Sequence, residues 1–173
     1  NLYKPMPGYR FIASNTDRSR YYVGELNGKS SKQAYMDALH ISESNIINQT
    51  FHNPLGKMNG QDICIISLKE VSGNGLCCYR QVNDSDVLVL LEEQDYNEIL
   101  DETLQRIRRD FKHISGVFSI NCVFRYLLFS QEHHMEDYLK TMSTLGDHAG
   151  LIGFGEHYNQ QFVNQTMTCV VFE

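Results

Sequence analysis

The stretch ICIISLKEVSGNGLCCYRQVNDSDVLVLLE (residues 63–92) decides the fold. Three apolar runs rich in β-branched residues, 63–71, 76–82 and 87–92, are separated by SGNG and NDSD, whose Gly, Asn, Asp and Ser favour tight turns. Such a series predicts a β-meander. Strands that follow one another through short turns pair antiparallel, whereas a doubly wound parallel sheet would need a helix between them.

Upstream, YRFIAS (9–14) and YYVGELNG (21–28) flank the polar NTDRS and predict a hairpin. Ser30 with Gln33 forms a capping box, and Ala34, Tyr35, Ala38 and Leu39 supply one apolar helical face. A weaker helical turn is expected in SESNIINQ (42–49), and HNPLGKMNGQD (52–62) has the Pro and Gly content of a loop.

Downstream, Asp95 and Glu98 cap a helix whose Tyr96, Ile99, Leu100, Leu104, Ile107 and Phe111 keep helical spacing. GVFSINCVFRYLLF (116–129) is expected to be one long strand. A third helix follows in HHMEDYLKTMSTLG (133–146), with Met135, Tyr138, Leu139, Met142 and Leu145 inward and Gly146 as its stop. AGLIGFGEHY and FVNQTMTCVVFE, around the turn NQQ (159–161), close the chain as an antiparallel hairpin. The expected class is α+β, with a largely antiparallel or mixed β-sheet, three main helices and the order β-β-α-β-β-β-α-β-α-β-β.

With 173 residues, 42% of them hydrophobic, the chain can form one ordinary domain or two small subdomains sharing a core. A net charge of -6 argues against nucleic acid or an anionic membrane surface as partners, since both call for an excess of Lys and Arg. No apolar run reaches the roughly 18 residues a membrane-spanning helix needs. Cys64, Cys77, Cys78, Cys122 and Cys169 are odd in number and mostly lie in apolar runs, which suggests buried thiols in a reducing, cytoplasmic compartment. The chain opens on NLYKPMPGYR without Met, as a boundary inside a longer protein would.

The chemistry-bearing residues cluster late. GFGEHY (153–158) lacks the glycine spacing of a dinucleotide fingerprint, and no GK[ST] occurs in the chain. Alternation instead sets Ile152, Phe154, Glu156 and Tyr158 on one strand face, with Gly153, Gly155 and His157 on the other. Glu156 is then either a strand end emerging into water or a half-buried carboxylate that needs a cationic partner. Arg125 interrupts the apolar NCVFRYLLF and is either an edge residue snorkelling to solvent or a fork for a ligand carboxylate. Together the two could read both ends of a zwitterion.

Other features carry less. Cys122 has no histidine at a spacing that marks a catalytic pair, although His113, His133, His134, His148 and His157 compete for that part. In EHHMED, His133 with Glu136 or Asp137 supplies at most two metal ligands. Arg106, Arg108, Arg109 and Lys112 end a helix, where positive charge complements the dipole.

NCVFR followed by HAGLIGFGEHYNQQFVNQTMTCVVF resembles the C-terminal half of the FIST domain, named for F-box and intracellular signal transduction proteins. The likeness lies in Cys-x-x-Arg, in a Gly-rich hairpin ending Gly-Glu, and in Asn and Thr ahead of a last apolar strand. YYVGELNGKSSKQAYMDAL, HNPLG and VNDSDVLVLLE resemble earlier parts of the family in order. The chain departs from the pattern at Tyr126, where glycine often follows the arginine, and at Leu151, where phenylalanine follows the first hairpin glycine.

The resemblance implies a single sensory input domain over residues 1–173 of a bacterial signalling protein, preceded by an N-terminal FIST half and joined to a kinase, cyclase or chemotaxis output. It further implies a small-molecule ligand such as an amino acid, with no reaction catalysed and no cofactor or metal; a homodimer is compatible with it. Its carried-over ligand residues are Cys122, Arg125, Gly155, Glu156, Asn164 and Thr166, with Phe154 beside them. Within one continuous strand Cys122 and Arg125 would face opposite sides, so a shared site requires a bulge or a strand end between them. The rival readings are a protein-interaction module and a Cys122-dependent enzyme.

Overall fold

A computed structural model describes residues 1–60, 62–158 and 161–173. Contacts divide the chain into a first unit, Tyr3–Glu93, and a second, Gln94–Glu173 with Asn1–Leu2. Each carries its own sheet.

The first unit comprises β1 (Tyr3–Asp17), β2 (Tyr22–Leu26), β3 (Lys29–Ser30), α1 (Ser31–Leu39), α2 (Ile46–Gln49), β4 (Leu55–Asn59), β5 (Asp62–Ile66), β6 (Leu68–Ser72), β7 (Gly75–Cys78) and β8 (Val87–Glu93). Its pairings are antiparallel, in the order β5-β4-β8-β1-β2-β7-β6, with β3 on β2. The expected hairpin is β1–β2. Ser30 caps α1 by accepting from the Gln33 amide at 3.3 Å, but the Gln33 side chain turns to Asp37, so only half of the capping box forms.

The meander is corrected. β6 and β7 make a hairpin, yet β8 pairs with β1 and β4. The run 63–71 breaks at fully buried Ser67, where Thr50 Oγ1 accepts from the Leu68 amide at 2.8 Å. One residue therefore separates strands at the two ends of the pairing order, which requires the sheet to curl back on itself. The expected loop 52–62 also contributes a strand, β4. Gly56 permits this, because a Cβ there would lie 3.0 Å from the side chains of Ile63 and Leu91. Phe11, Ala13, Leu26, Leu55, Ile66, Leu76 and Leu88 pack with Ala34 and Tyr35 of α1 into one apolar core. Tyr35 brings a hydroxyl into it and donates to the Asn53 carbonyl at 2.7 Å.

The second unit comprises α3 (Tyr96–Asp110), β9 (Gly116–Cys122), α4 (Val123–Gln131), α5 (Met135–Met142), β10 (Asp147–Gly153), β11 (Glu156–Tyr158), β12 (Gln161–Val163) and β13 (Met167–Phe172). Asp95 caps α3 by accepting from the amides of Asn97 and Glu98 at 2.9 and 3.0 Å. β9 is the central strand of three, parallel to β10 and antiparallel to β13. The α+β class with a mixed, largely antiparallel sheet is what forms.

Two expectations fail here. The long strand 116–129 stops at Cys122 and becomes α4. A run apolar on all sides hides its period, but its buried residues Arg125, Leu128 and Phe129 keep the i, i+3, i+4 spacing of a helix. The closing hairpin shrinks to β11–β12, while β10 crosses over through α4 and α5 to lie parallel to β9. Asn159 and Gln160 of the expected turn lie outside the described residues.

Candidate functional site

The strand-to-helix turn at Cys122 assembles the cluster. Cys122 ends β9 at the N-cap position of α4, so Arg125 falls in the first helical turn. The two residues thus need not oppose one another across a strand. Both are buried, as are Glu156 and Asn164. The Cys122 amide donates to the Thr166 carbonyl at 3.0 Å, which ties the turn to the segment entering β13.

Glu156 opens β11 and is only 3% exposed, so the solvated strand end is corrected. One carboxylate oxygen, Oε2, accepts from Thr166 Oγ1 at 3.0 Å. The other, Oε1, has no hydrogen-bond partner of ordinary geometry among the described residues. Burial pushes the carboxyl up to about 7, against the Thr166 hydroxyl, the Cys122 thiol, the Gly155 amide and, least of all, Arg125, which pull it down.

Arg125 does not snorkel. It is 4% exposed, with its guanidinium 4.6 Å from the ring centre of Phe129 and 5.5 Å from that of Tyr138. Phe129 lies one turn along α4, and Tyr138 comes from α5. Stacking on two aromatic faces offsets part of the cost of desolvating the cation.

The glycines clear space for the protein itself. A Cβ on Gly155, whose φ is +128°, would collide with the Phe162 ring. At Gly153 it would stand 3.3 Å from Ile120 and 3.5 Å from Glu156 Oε1. The bend at Phe154 and Gly155 breaks the expected alternation and turns Phe154 outward, 89% exposed. Phe154 is thereby separated from the buried cluster. Tyr158's side chain lies outside the described residues.

Cys122 has its thiol raised by burial, with the backbone amides of Gln165, Phe124 and Arg125 opposing and Glu156 adding to the rise. Among the described residues no histidine contributes to that shift. All five cysteines are free thiols. Among the described residues no group of three or more His, Cys, Asp and Glu is placed to hold a metal, and no helix is long and apolar enough to cross a membrane.

Sequence reasoning missed Gln165, fully buried with φ +53° between Asn164 and Thr166. It also missed Ser119 and Asn121, buried at alternate positions of β9, where two polar residues in an apolar strand were the available signal.

A mixed sheet whose central strand turns into a helix carrying a buried cation, facing a Gly-Glu hairpin, defines the class as an α+β domain with a charged interior. The chain matches the model of the FIST C domain over residues 32–159 and belongs to that family. The FIST C domain is a sensory-type module of multidomain signal-transduction proteins. No curated protein and no solved structure matches the chain.

Proposed function

We propose that the second unit binds a small polar metabolite carrying a cationic group, such as an amino acid, and that the chain is a non-catalytic, cytoplasmic sensor. The observation that carries this reading is the buried carboxylate of Glu156, whose Oε2 accepts from Thr166 while Oε1 has no hydrogen-bond partner of ordinary geometry among the described residues. An ammonium group entering beside it would compensate the charge that burial penalises, and buried Arg125 is the complementary group for a carboxylate. Thr166 fixes the Glu156 carboxylate, and Asn164 stands next to the cluster as a further polar group. Because these side chains are buried, entry requires the cluster to open locally. A ligand that binds only one arrangement shifts the population towards it, which is the elementary requirement of a sensor.

Thermal melts of the chain with a panel of amino acids and simple amines test this. At about 100 times Kd a ligand adds about 2.7 kcal/mol, a rise of roughly 5 to 10 °C for a chain of this size. Glu156→Gln should remove the rise while the variant still melts cooperatively. A panel without a hit, or an unchanged rise in Glu156→Gln, would overturn the reading.

A further inference from the structure

A cleft of about 260 Å³ lies between α4, α5 and the β9–β10 strand pair, on residues other than the Glu156 cluster. Its mouth is apolar: Leu139, Leu151 and Ile152 are 46, 50 and 45% exposed. Its floor is a hydrogen-bonded chain. Asn121 Nδ2 donates to Tyr138 Oη at 2.7 Å, Tyr138 donates to Ser119 Oγ at 3.1 Å, and Ser119 Oγ lies 2.9 Å from His148 Nε2. Run in that direction, the chain ends on His148 Nε2 as acceptor. Burial lowers the His148 pKa, which keeps the ring neutral near pH 7.

The chain leaves one group over. Asn121 is 7% exposed, and its Oδ1 has no hydrogen-bond partner among the described residues. That atom lies beneath the cleft lining, so satisfying it takes a turn of the amide that brings Oδ1 towards a donor carried into the cleft and loosens the bond from Nδ2 to Tyr138. Glycine at position 150 keeps the floor open, since a Cβ there would lie 2.6 Å from both the carbonyl and the hydroxyl oxygen of Ser119.

We propose that this cleft is a second binding site, one that takes a neutral, flat, largely apolar molecule presenting an N–H or O–H donor to Asn121. Among the described residues that line it, none is Asp, Glu, Lys or Arg. A zwitterion would therefore lose hydration without gaining a counter-charge, which separates this site chemically from the one at Glu156. The volume suits one or two fused rings, because an apolar cavity of about 150 Å³ already holds benzene. Closing over the mouth, such a molecule would cover Leu139, Leu151 and Ile152 together.

Indole and N-methylindole are the probes, titrated into the ¹⁵N-labelled chain and followed by amide chemical shifts. Indole should move the amides of Gly150 and Leu151 saturably, and N-methylindole should bind about fivefold more weakly, the worth of one neutral hydrogen bond. Leu139→Glu, at the exposed rim and so compatible with folding, should weaken indole at least about tenfold by setting a charge in the apolar mouth. Asn121→Leu should bring indole down to the affinity of N-methylindole; if that variant fails to fold, the probe pair and Leu139→Glu still decide. Glu156→Gln should leave indole binding unchanged, so this proposal can fail or hold independently of the amino-acid reading. Equal affinity for the two probes, indifference to Leu139→Glu, or no shift at Gly150 and Leu151 up to about 10 mM indole would overturn it.

Discussion

The two units spend their interiors differently. In the first, the buried polar side chains among the described residues are Ser31, Thr50 and Ser67; Ser31 Oγ donates to the Val23 carbonyl at 2.6 Å and Thr50 Oγ1 accepts from the Leu68 amide at 2.8 Å. In the second, Ser119, Asn121, Arg125, Glu156, Asn164 and Gln165 are buried, two of them ionisable. A short hydroxyl bonded to backbone costs a fold little, whereas a buried carboxylate is expensive unless it is fully compensated. The difference places the energetically costly buried groups in the second unit.

Substitutions can break that comparison. Leu88→Ala, at a fully buried position of the first unit, should cost about 3 kcal/mol in denaturant unfolding, because the cavity adds to the lost transfer energy. Its cost should not change between pH 5 and pH 8, and a strong pH dependence would show that the apolar core is electrically coupled after all.

In the second unit, Arg125→Met keeps the bulk over Phe129 and removes the cation. It should cost about 2 kcal/mol at pH 8, where Glu156 is ionised, and clearly less at pH 5, where it is protonated. Equal costs at the two pH values would uncouple the two charges.

Glu156→Gln works in the opposite direction. The carboxyl's folded pKa, about 7, lies above its ordinary 4.5, so the native state holds the proton more tightly than the unfolded chain. This contribution is fully present below pH about 4.5 and is lost as pH rises through about 7. The wild type should therefore weaken across that window by about 2 kcal/mol once screening by nearby solvent is allowed for. Glu156→Gln should remove this slope and be the more stable protein at pH 8; a wild type that gains stability over the same window would contradict the assignment.

The sequence disclosed each unit to a different depth. β1–β2, the cap residues of α1 and α3 and the strands within 76–82 and 87–92 were legible because turn residues and caps act locally. The break at Ser67 was not, since a curled sheet is closed by long-range pairing that no local pattern records. At the candidate site the residue types Cys122, Arg125 and Glu156 stood out as polar residues in apolar runs. Their pairing was expected, but the route to it was not, because Arg125 reaches the cluster through a strand that becomes a helix at Cys122, where β-branched and aromatic residues disguise a helical stripe. Phe154 was misplaced for a related reason: alternation cannot anticipate the bend that Gly155 allows beside Phe162.

The central claim is that the second unit holds a carboxylate whose burial is not fully compensated. Its most direct test is a ¹³C-detected NMR titration of the Glu156 side-chain carboxyl in the chain without added ligand. The midpoint should fall near 7. A midpoint at the ordinary 4.5 would mean that Glu156 is solvated or already paired, and the case for a cation-binding site at this hairpin would be lost.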